Sequence, residues 1–177
     1  MPYAAADMDL ARFLRDVPDF PKPGILFKDI TPLLANPAAM QHAIDRFAGL
    51  DLGRIDKVAA VESRGFLFGA PLALRLGVGF VPVRKPGKLP WKTNRVEYVL
   101  EYGTDAVEIH EDAVQRGERV LMVDDLLATG GTMGAACQLV EACGGEVAGC
   151  AFVVELCFLG GRKRLGDHRI ESLIAIP

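Results

Sequence analysis

Short, continuous apolar runs alternate with segments of helical periodicity over most of the chain, and this alternation limits the folds that it can adopt. In chain order they indicate a strand at 55–61, a helix at 65–77, strands at 79–85 and 118–123, a helix at 132–145 and a strand at 146–156. Continuous apolar strands are typical of parallel sheets that are covered on both faces. The sequence therefore predicts an α/β fold with a twisted, mainly parallel sheet flanked by helices.

Further segments complete the predicted organisation. They are a helix at 10–17, a helix from Asn36 to about Phe47, a hairpin formed by 95–102 and 105–110, and a strand at 172–176. Asn36 directly before Pro37 is typical of a helix start, because the asparagine side chain can cap the helix and proline suits its first turn. The stretch 86–94 is rich in proline, glycine and polar residues, which indicates a loop.

Length and composition bound the class of protein. The 177 residues fit one domain, 1–177, and half of them are hydrophobic, as in a globular protein. A net charge of −3 without a long cationic run argues against nucleic acid or a membrane surface as a partner. No apolar run approaches the roughly 20 residues of a membrane helix, and we see no secretory leader, so we expect a cytoplasmic protein. The four cysteines lack metal-ligand spacing and are expected to be buried thiols.

The stretch VLMVDDLLATGGT (120–132) joins a predicted strand to a predicted helix. Its last part consists of small and hydroxyl residues: Ala128, Thr129, Gly130, Gly131 and Thr132. Such a loop lets backbone N–H groups approach an anion at the positive end of the helix dipole. Asp124 and Asp125 would repel a phosphate, but carboxylates accept hydrogen bonds from vicinal hydroxyls. We therefore interpret the stretch as a site for a ribose 5-phosphate; the alternative is an acidic turn before an ordinary capped helix.

This stretch resembles the phosphoribosyl-pyrophosphate (PRPP) binding motif of the type I phosphoribosyltransferases. Five more segments resemble the adenine-specific members of that family: FPKPGILFKDITPLL (20–34), ESRGFLFGAPLAL (62–74), VRKPGKLP (83–90), LEYGTDAVEIH (100–110) and VELCFLGGRKRL (154–165). Many relatives share the PRPP motif, whereas FPKPGILFKDIT and LEYGTDAVEIH are more specific to the adenine enzymes. The resemblance implies a type I phosphoribosyltransferase fold with a small N-terminal hood, about 1–34, and a flexible catalytic loop in a mobile region of about 86–104.

The resemblance also implies a reaction, in which adenine and PRPP give AMP and pyrophosphate with Mg²⁺, as in purine salvage. Asp124 and Asp125 would bind the ribose hydroxyls, and residues 128–132 would bind the 5′-phosphate. Because Mg²⁺ often binds through substrate phosphates and keeps several waters, we expect an ion chelated by PRPP with no direct protein ligand. The family further implies a homodimer.

The resemblance assigns the remaining site residues in three groups. The pyrophosphate group is Glu62, Ser63, Arg64, Arg84, Lys85 and Lys88, with a cis peptide bond before Ser63, a catalytic part for Arg64, and cations partly supplied by the neighbouring subunit. The catalytic group is Glu101, which would exchange a proton with N7 of the purine, and Tyr102 on the loop that closes over the site. The adenine group is Leu26, Phe27 and Lys28, with 155–159 on the far side of the pocket.

One position departs from the family pattern. Lys28 stands where many members have arginine, and it replaces a planar donor fork by a point charge. Two alternatives stay open. The base could be hypoxanthine, guanine or xanthine, although a site that hydrogen-bonds an exocyclic amine rejects a carbonyl strongly. The protein could also be a regulator that senses PRPP or a purine, although we see no room for a helix-turn-helix before Phe20.

Overall fold

The computed structural model describes residues 8–99 and 103–177, which form nine strands and four α-helices. In chain order the strands are β1 (Arg15–Pro18), β2 (Leu26–Asp29), β3 (Lys57–Val61), β4 (Gly79–Val83), β5 (Thr93–Val99), β6 (Thr104–His110), β7 (Arg119–Leu127), β8 (Glu146–Leu156) and β9 (Ile170–Ile176). The helices are α1 (Thr31–Ala35), α2 (Pro37–Ala48), α3 (Gly65–Leu76) and α4 (Gly131–Ala142), with short 3-10 segments at Leu10–Phe13, Cys157–Leu159 and Gly161–Leu165.

Five of these strands form the central sheet. Their spatial order is β4-β3-β7-β8-β9, and each neighbouring pair is parallel. The predicted α/β fold with a mainly parallel sheet is confirmed. Two antiparallel pairs lie outside this sheet, β1 with β2 and β5 with β6. A bridge between Arg84 and Glu108 connects the β5–β6 ribbon to the segment that follows β4.

Side chains of the central strands alternate between two apolar clusters, one on each face of the sheet. In β3, Val58 and Ala60 belong to the cluster that includes α2 and α3, whereas Ala59 and Val61 belong to the cluster that includes α4. All four side chains are almost fully excluded from solvent. Because both faces of the sheet are covered, its strands appear in the sequence as continuous apolar runs.

The helix predicted after Asn36 forms as α2 and ends at Ala48. The Asn36 side chain accepts a hydrogen bond from the backbone N–H of Ala39 at 3.0 Å, and Pro37 occupies the first position of the helix. The predicted capping is thus confirmed. Among residues 8–99 and 103–177, no helix combines the length and the apolar character needed to cross a lipid bilayer.

The helix predicted over 10–17 is wrong. A 3-10 turn forms at Leu10–Phe13, and Arg15–Pro18 pairs with β2 in an antiparallel hairpin. The spacing of apolar residues favours a helix locally, but the hairpin satisfies backbone groups of β2 that a helix at 10–17 would leave without partners. This hairpin lies within the region predicted as the N-terminal hood, about 1–34.

The hairpin predicted around Gly103 forms as β5 and β6, although β5 begins at Thr93 and not at residue 95; the last three residues of the predicted strand, 100–102, lie outside the described residues. The strand therefore starts inside the stretch 86–94 that the sequence indicates as a loop. Eight described residues of the predicted mobile region, about 86–104, are thus paired in a ribbon, namely Thr93–Val99 and Thr104, and the mobility of that region stays a prediction.

The cysteines do not share one environment. Cys137 and Cys150 are buried with their Sγ atoms 3.6 Å apart, Cys143 is half-buried and Cys157 is exposed. The expectation of buried thiols is therefore wrong for Cys157, because its 3-10 segment leaves the sheet at the end of β8.

Candidate active site

A cavity of about 230 Å³ opens at the carboxyl edge of the central sheet, where the neighbouring strands β3 and β7 end. The helices that follow them, α3 and α4, begin beside the cavity. Open parallel sheets bind ligands at this edge. The lining residues are Val61, Glu62, Ser63, Arg64, Lys85 and residues 124–133. The structure therefore brings together all the residues predicted for ribose and 5′-phosphate and four of the six predicted for pyrophosphate.

Asp124 and Asp125 lie inside β7, not in a loop after it, because β7 continues to pair with β8 as far as Leu127. Asp124 Oδ1 accepts a hydrogen bond from the backbone N–H of Asp125 at 2.9 Å. A Cβ atom at Gly65 would lie 2.9 Å from the same oxygen, so the bare backbone at the start of α3 leaves room for this carboxylate. The strand thus presents both acids to the cavity at fixed positions.

The surroundings of this pair favour protonated carboxyl groups. Burial raises the pKa of Asp124 well above its ordinary value, and the adjacent charge of Asp125 raises it further. Burial also raises the pKa of Asp125, whereas the Arg64 guanidinium partly offsets that rise. Arg64 Nε lies 3.0 Å from Asp125 Oδ2. A ligand that donates hydroxyl hydrogen bonds to these oxygens would stabilise their ionised forms.

Glu62 connects the end of β3 to the cations that follow β4. One of its carboxylate oxygens accepts a hydrogen bond from the backbone N–H of Lys85. The other lies 3.2 Å from a guanidinium nitrogen of Arg84 and 3.1 Å from Lys88 Nζ. Arg84 and Lys88 do not line the cavity and instead pair with this 8% exposed carboxylate. The Glu62–Ser63 peptide bond is cis, as the resemblance implies.

The phosphate-loop candidate, residues 128–132, packs against the 3-10 segment that begins at Gly161. Gly130 has a φ of +80°, and a Cβ atom there would overlap the Gly161 carbonyl oxygen. A Cβ atom at Gly161 would in turn overlap the Ala128 carbonyl oxygen. Both glycines are therefore needed for the two backbones to approach each other. α4 begins at Gly131, one residue before the predicted Thr132.

Two residues absent from the predictions, Tyr98 and Asp105, also reach this edge. Lys85 Nζ contacts the Tyr98 hydroxyl at 2.9 Å and forms a short ion pair with Asp105. Thr132 Oγ1 donates a hydrogen bond to the same hydroxyl at 3.1 Å. The two residues stand opposite each other in the β5–β6 register. A signal for this pair exists in the sequence, because the predicted hairpin places both residues on one ribbon.

The three residues predicted for adenine lie on β2 and do not line this cavity. Phe27 is nevertheless close to it, because the Arg64 guanidinium lies 5.6 Å from the centroid of its ring. Leu26 is half exposed. Lys28 Nζ pairs with Asp16 at 2.6 Å, so its ammonium group is engaged within the hairpin.

Other predicted site residues divide into two cases. Glu101 and Tyr102 lie outside the described residues. Glu155, predicted to line the far side of the base pocket, is buried in a bidentate pair with Arg162 and accepts a hydrogen bond from Ser172 at 2.7 Å. The 3-10 segment Cys157–Leu159 beyond it is exposed.

The donor set bears on how a metal ion could bind. Within residues 8–99 and 103–177, no three His, Cys, Asp or Glu side chains are grouped so as to enclose an ion. Of the three carboxylates at the cavity, Glu62 and Asp125 are engaged by cations. These residues fit an ion that takes most of its ligands from phosphate oxygens and water.

Comparisons with known proteins agree on one family. The model of the phosphoribosyl transferase domain matches residues 29–170. An adenine phosphoribosyltransferase of Chloroflexus aurantiacus is 59% identical over 167 residues, which are 94% of this chain and 96% of that protein. The crystal structure of adenine phosphoribosyltransferase from Thermoanaerobacter pseudethanolicus has a TM-score of 0.93 at 56% identity and covers 97% of this chain and 100% of that one.

A second solved structure carries ligands. It is adenine phosphoribosyltransferase from Saccharomyces cerevisiae in complex with adenine and an imino-altritol bisphosphate. Its TM-score is 0.85 at 43% identity, and the match covers 93% of this chain and 98% of that chain.

Proposed function

The chain belongs to the adenine phosphoribosyltransferase family, and we propose that it transfers the 5-phosphoribosyl group of PRPP to adenine, giving AMP and pyrophosphate for purine salvage. The observation that carries this proposal is the division of the cavity. On one side the carboxylate pair lies within β7 and a glycine-threonine loop follows that strand, and on the other side Arg64 and Lys85 follow β3 and β4. This distribution matches the hydroxyls and the two phosphorylated ends of PRPP.

The ribose 5-phosphate would bind along the β7 side. Asp124 and Asp125 accept hydrogen bonds from the 2′ and 3′ hydroxyls, and the backbone N–H groups of 128–132 surround the 5′-phosphate at the N-terminus of α4. Thr129 adds a hydroxyl donor, whereas Thr132 contributes its backbone N–H, because its hydroxyl donates to Tyr98. The negative charge of the aspartates also favours a sugar ring that becomes cationic during the reaction.

The pyrophosphate would bind between β3 and β4. Arg64 and Lys85 line this part of the cavity, and Arg84 and Lys88 form ion pairs with Glu62 without lining it. In the reaction, N9 of adenine forms a bond to C1 of the sugar while the bond from C1 to pyrophosphate breaks. The cations stabilise the charge that the leaving group acquires, and fixed placement of both substrates removes much of the entropic barrier.

The proton that adenine loses needs an acceptor. The resemblance assigns this part to Glu101, which takes the proton from N7 as N9 bonds to the sugar. We expect Glu101→Gln to lower kcat about 100-fold or more, because the amide cannot accept that proton, while the Kd for PRPP stays within about twofold. Steady-state kinetics and calorimetric titration with PRPP measure the two quantities. Near-normal turnover in this variant would remove the role from Glu101.

The base would lie beside the β1–β2 hairpin. Phe27 offers an aromatic face for a purine, and its ring centroid lies 5.6 Å from the guanidinium of Arg64, a residue that lines the cavity. Backbone groups of 26–28 can read the amino edge of adenine. Since Lys28 is paired with Asp16, its charge acts within the hairpin more than on the base.

Magnesium enters this proposal as a partner of PRPP. The ion would neutralise part of the charge of the diphosphate when bound. Asp124 and Asp125 are the carboxylates on the ribose side that could meet its hydration shell, and the remaining ligands would be phosphate oxygens and water. We also propose the homodimer that the family implies and a cytoplasmic location.

The test is product formation with four bases. Purified protein is incubated with PRPP, Mg²⁺ and, separately, adenine, hypoxanthine, guanine or xanthine, and nucleotides are separated from bases. AMP from adenine alone is the expected result. Formation of IMP, GMP or XMP would support the PRPP site but contradict adenine as the base. Bound PRPP without any nucleotide product would favour the regulator.

A further inference from the structure

The hydroxyl of Tyr98 lies where three segments meet. It accepts hydrogen bonds from Lys85 Nζ at 2.9 Å and from Thr132 Oγ1 at 3.1 Å, and it donates one to Asp105 Oδ2 at 3.1 Å. A phenol has one donor and two acceptor lone pairs. These three contacts therefore use the whole hydrogen-bonding capacity of the group, and its position is set by all three segments at once.

Lys85 is held in place by this arrangement. Its ammonium group contacts the Tyr98 hydroxyl and the Asp105 carboxylate, and it lies 5.4 Å from the centroid of the Tyr98 ring. Its backbone N–H donates to Glu62. A lysine head group on a flexible four-carbon stem would otherwise sample many positions. The ribbon thus converts a mobile charge into a fixed one at the edge of the cavity.

Thr132 is fixed from the same side. It is the second residue of α4, and its hydroxyl donates to Tyr98. The ring of Tyr98 also packs on the neighbouring loop residue, because a Cβ atom at Gly131 would lie 3.3 Å from Tyr98 Cδ2. The β5–β6 ribbon therefore touches the phosphate loop through both the ring and the hydroxyl of one side chain.

We infer that Tyr98 is a positioning residue that sets the spacing between the pyrophosphate anchor, Lys85, and the 5′-phosphate anchor, Thr132. The inference rests on the proposed function. PRPP carries phosphate groups at both ends of one ribose, so its binding depends on the distance between the two anchors. Tyr98 does not line the cavity, whereas Lys85 and Thr132 do. It acts on PRPP through them.

The test uses Tyr98→Phe, which keeps the ring against Gly131 and removes only the hydroxyl. We expect the KM for PRPP to rise about tenfold, which is typical for loss of one hydrogen bond to a charged group, with the KM for adenine within about twofold. In the reverse reaction the KM values for AMP and for pyrophosphate should both rise. Lys85→Met should raise mainly the value for pyrophosphate and Thr132→Val mainly the value for AMP, each with a smaller rise in the other value because both anchors share the Tyr98 hydroxyl.

The matched control is Glu111→Gln. Glu111 is an exposed residue directly after β6 of the same ribbon and outside the predicted catalytic loop, so its charge can be removed without changing the contacts of Tyr98 with Lys85, Thr132 and Asp105. We expect all KM values of this variant to stay within about twofold of wild type, as for a surface substitution. If Tyr98→Phe lowers only kcat or the melting temperature and leaves the KM for PRPP unchanged, its hydroxyl is merely structural and the inference is overturned.

A double-substitution cycle covers the case in which Tyr98→Phe does not fold. Lys85→Met and Thr132→Val are measured separately and together. If one hydroxyl holds both anchors, the double variant should raise the KM for PRPP by less than the product of the two separate fold-changes. If the anchors are independent, the rise should equal that product. The full product would overturn the inference. Wild-type protein that forms no AMP would overturn the proposed function and this inference with it, whereas AMP formation with an unchanged Tyr98→Phe variant would overturn the inference alone.

Discussion

At the residue scale, the acidic pair of β7 illustrates a conflict between binding and stability. Asp124 is placed where burial and the neighbouring carboxylate raise its pKa, so its ionised form destabilises the folded state at neutral pH. The ribose proposed to bind there needs that ionised form as an acceptor. The chain therefore keeps a charge at a position where a neutral side chain would favour folding.

Asp124→Asn tests this conflict. The amide keeps an oxygen for the hydrogen bond from the Asp125 N–H, and it removes the charge. We expect a melting temperature at pH 7 at least equal to that of wild type, and a KM for PRPP raised about tenfold or more. A carboxyl group with a raised pKa in the folded state regains its proton as the pH falls through that raised pKa. The stability advantage of the variant should therefore shrink between pH 7 and pH 4. Melting curves that show the variant less stable at pH 7 would contradict this account.

Gly130 is a second residue whose identity follows from contacts distant in sequence. Its φ of +80° and its contact with the Gly161 carbonyl leave no room for a side chain. We expect Gly130→Ala to lower the free energy of unfolding by about 3 kcal/mol or more, of which about 1–2 kcal/mol comes from the left-handed backbone. For a chain of this size, each kcal/mol corresponds to about 2–4 °C of melting temperature.

The control for this prediction is Gly77→Ala. Gly77 follows α3 with a φ of +70°, but a Cβ atom there would meet nothing within 4 Å. Gly77→Ala should therefore lower the free energy of unfolding only by the cost of the left-handed backbone, about 1–2 kcal/mol. Equal losses of unfolding free energy in the two variants would show that the contact with Gly161 does not contribute to the cost of Gly130→Ala.

The sequence predicts residues well where a motif is local and poorly where a contact is tertiary. Asp124, Asp125 and the loop after them are contiguous, and their chemistry can be recognised from one stretch. Tyr98 reaches Thr132 from another element, and Gly161 meets Gly130 across thirty residues of sequence. No local pattern contains those distances.

At the scale of elements, Glu62 ties the end of β3 to the segment after β4. Burial acts to raise its pKa, but hydrogen bonds from the Lys85 N–H, from Lys88 and from Arg84 outweigh burial and lower it. The parallel strands pair along their length, but β3 continues into α3, whereas β4 continues into the segment that leads to β5. One carboxylate therefore holds together two loops that the sheet itself does not connect.

Glu62→Gln should weaken that connection. The pKa of Glu62 is lowered in the folded state, so its carboxylate stabilises the fold at pH values above the ordinary pKa of 4.5. This stabilisation is lost as the pH falls through the folded-state pKa. We expect the variant to lose about 1–3 kcal/mol at pH 7, as for removal of a hydrogen-bonded charge. The difference from wild type should close below pH 4.5. Chemical unfolding at pH 7 and pH 4 measures both values, and a gap that does not change with pH would exclude the charge as its cause.

The sequence predicts the type of these secondary-structure elements but not the residues at which they end. Apolar runs covered on both faces predict β3, β7 and β8, and Asn36 predicts the start of α2. The end of β7 at Leu127 depends on the length of β8 beside it, and the strand at Arg15–Pro18 depends on partners 8 to 14 residues away. Pairing with a neighbour decided each of these boundaries, and the local sequence does not contain the neighbour.

At the scale of the whole molecule, the charge of the site opposes the charge of the chain. The net charge is −3, yet the proposed substrate is a polyanion. Attraction must therefore come from cations gathered at one edge of the sheet and from the start of α4, and it acts over distances of about one Debye length, near 8 Å at physiological salt.

The proposed homodimer is also a property at this scale. We expect sedimentation equilibrium to give a mass of about 38 kDa, twice the 19.1 kDa of the chain, at concentrations where the enzyme is active. A mass of one chain with full activity would contradict the proposal that a second subunit supplies cations to the pyrophosphate.

The contact between Gly130 and Gly161 limits how the site can be transplanted. A transplanted segment that holds only β7, its two aspartates and the loop 128–132 lacks Gly161. That glycine, on which the loop packs, lies shortly after the C-terminal end of β8. In a recipient scaffold with any side chain at the position that corresponds to Gly161, the grafted loop would meet a Cβ atom at the Ala128 carbonyl. The transferable unit is thus two pieces of chain that must be moved together, although a search for the motif would return only the first.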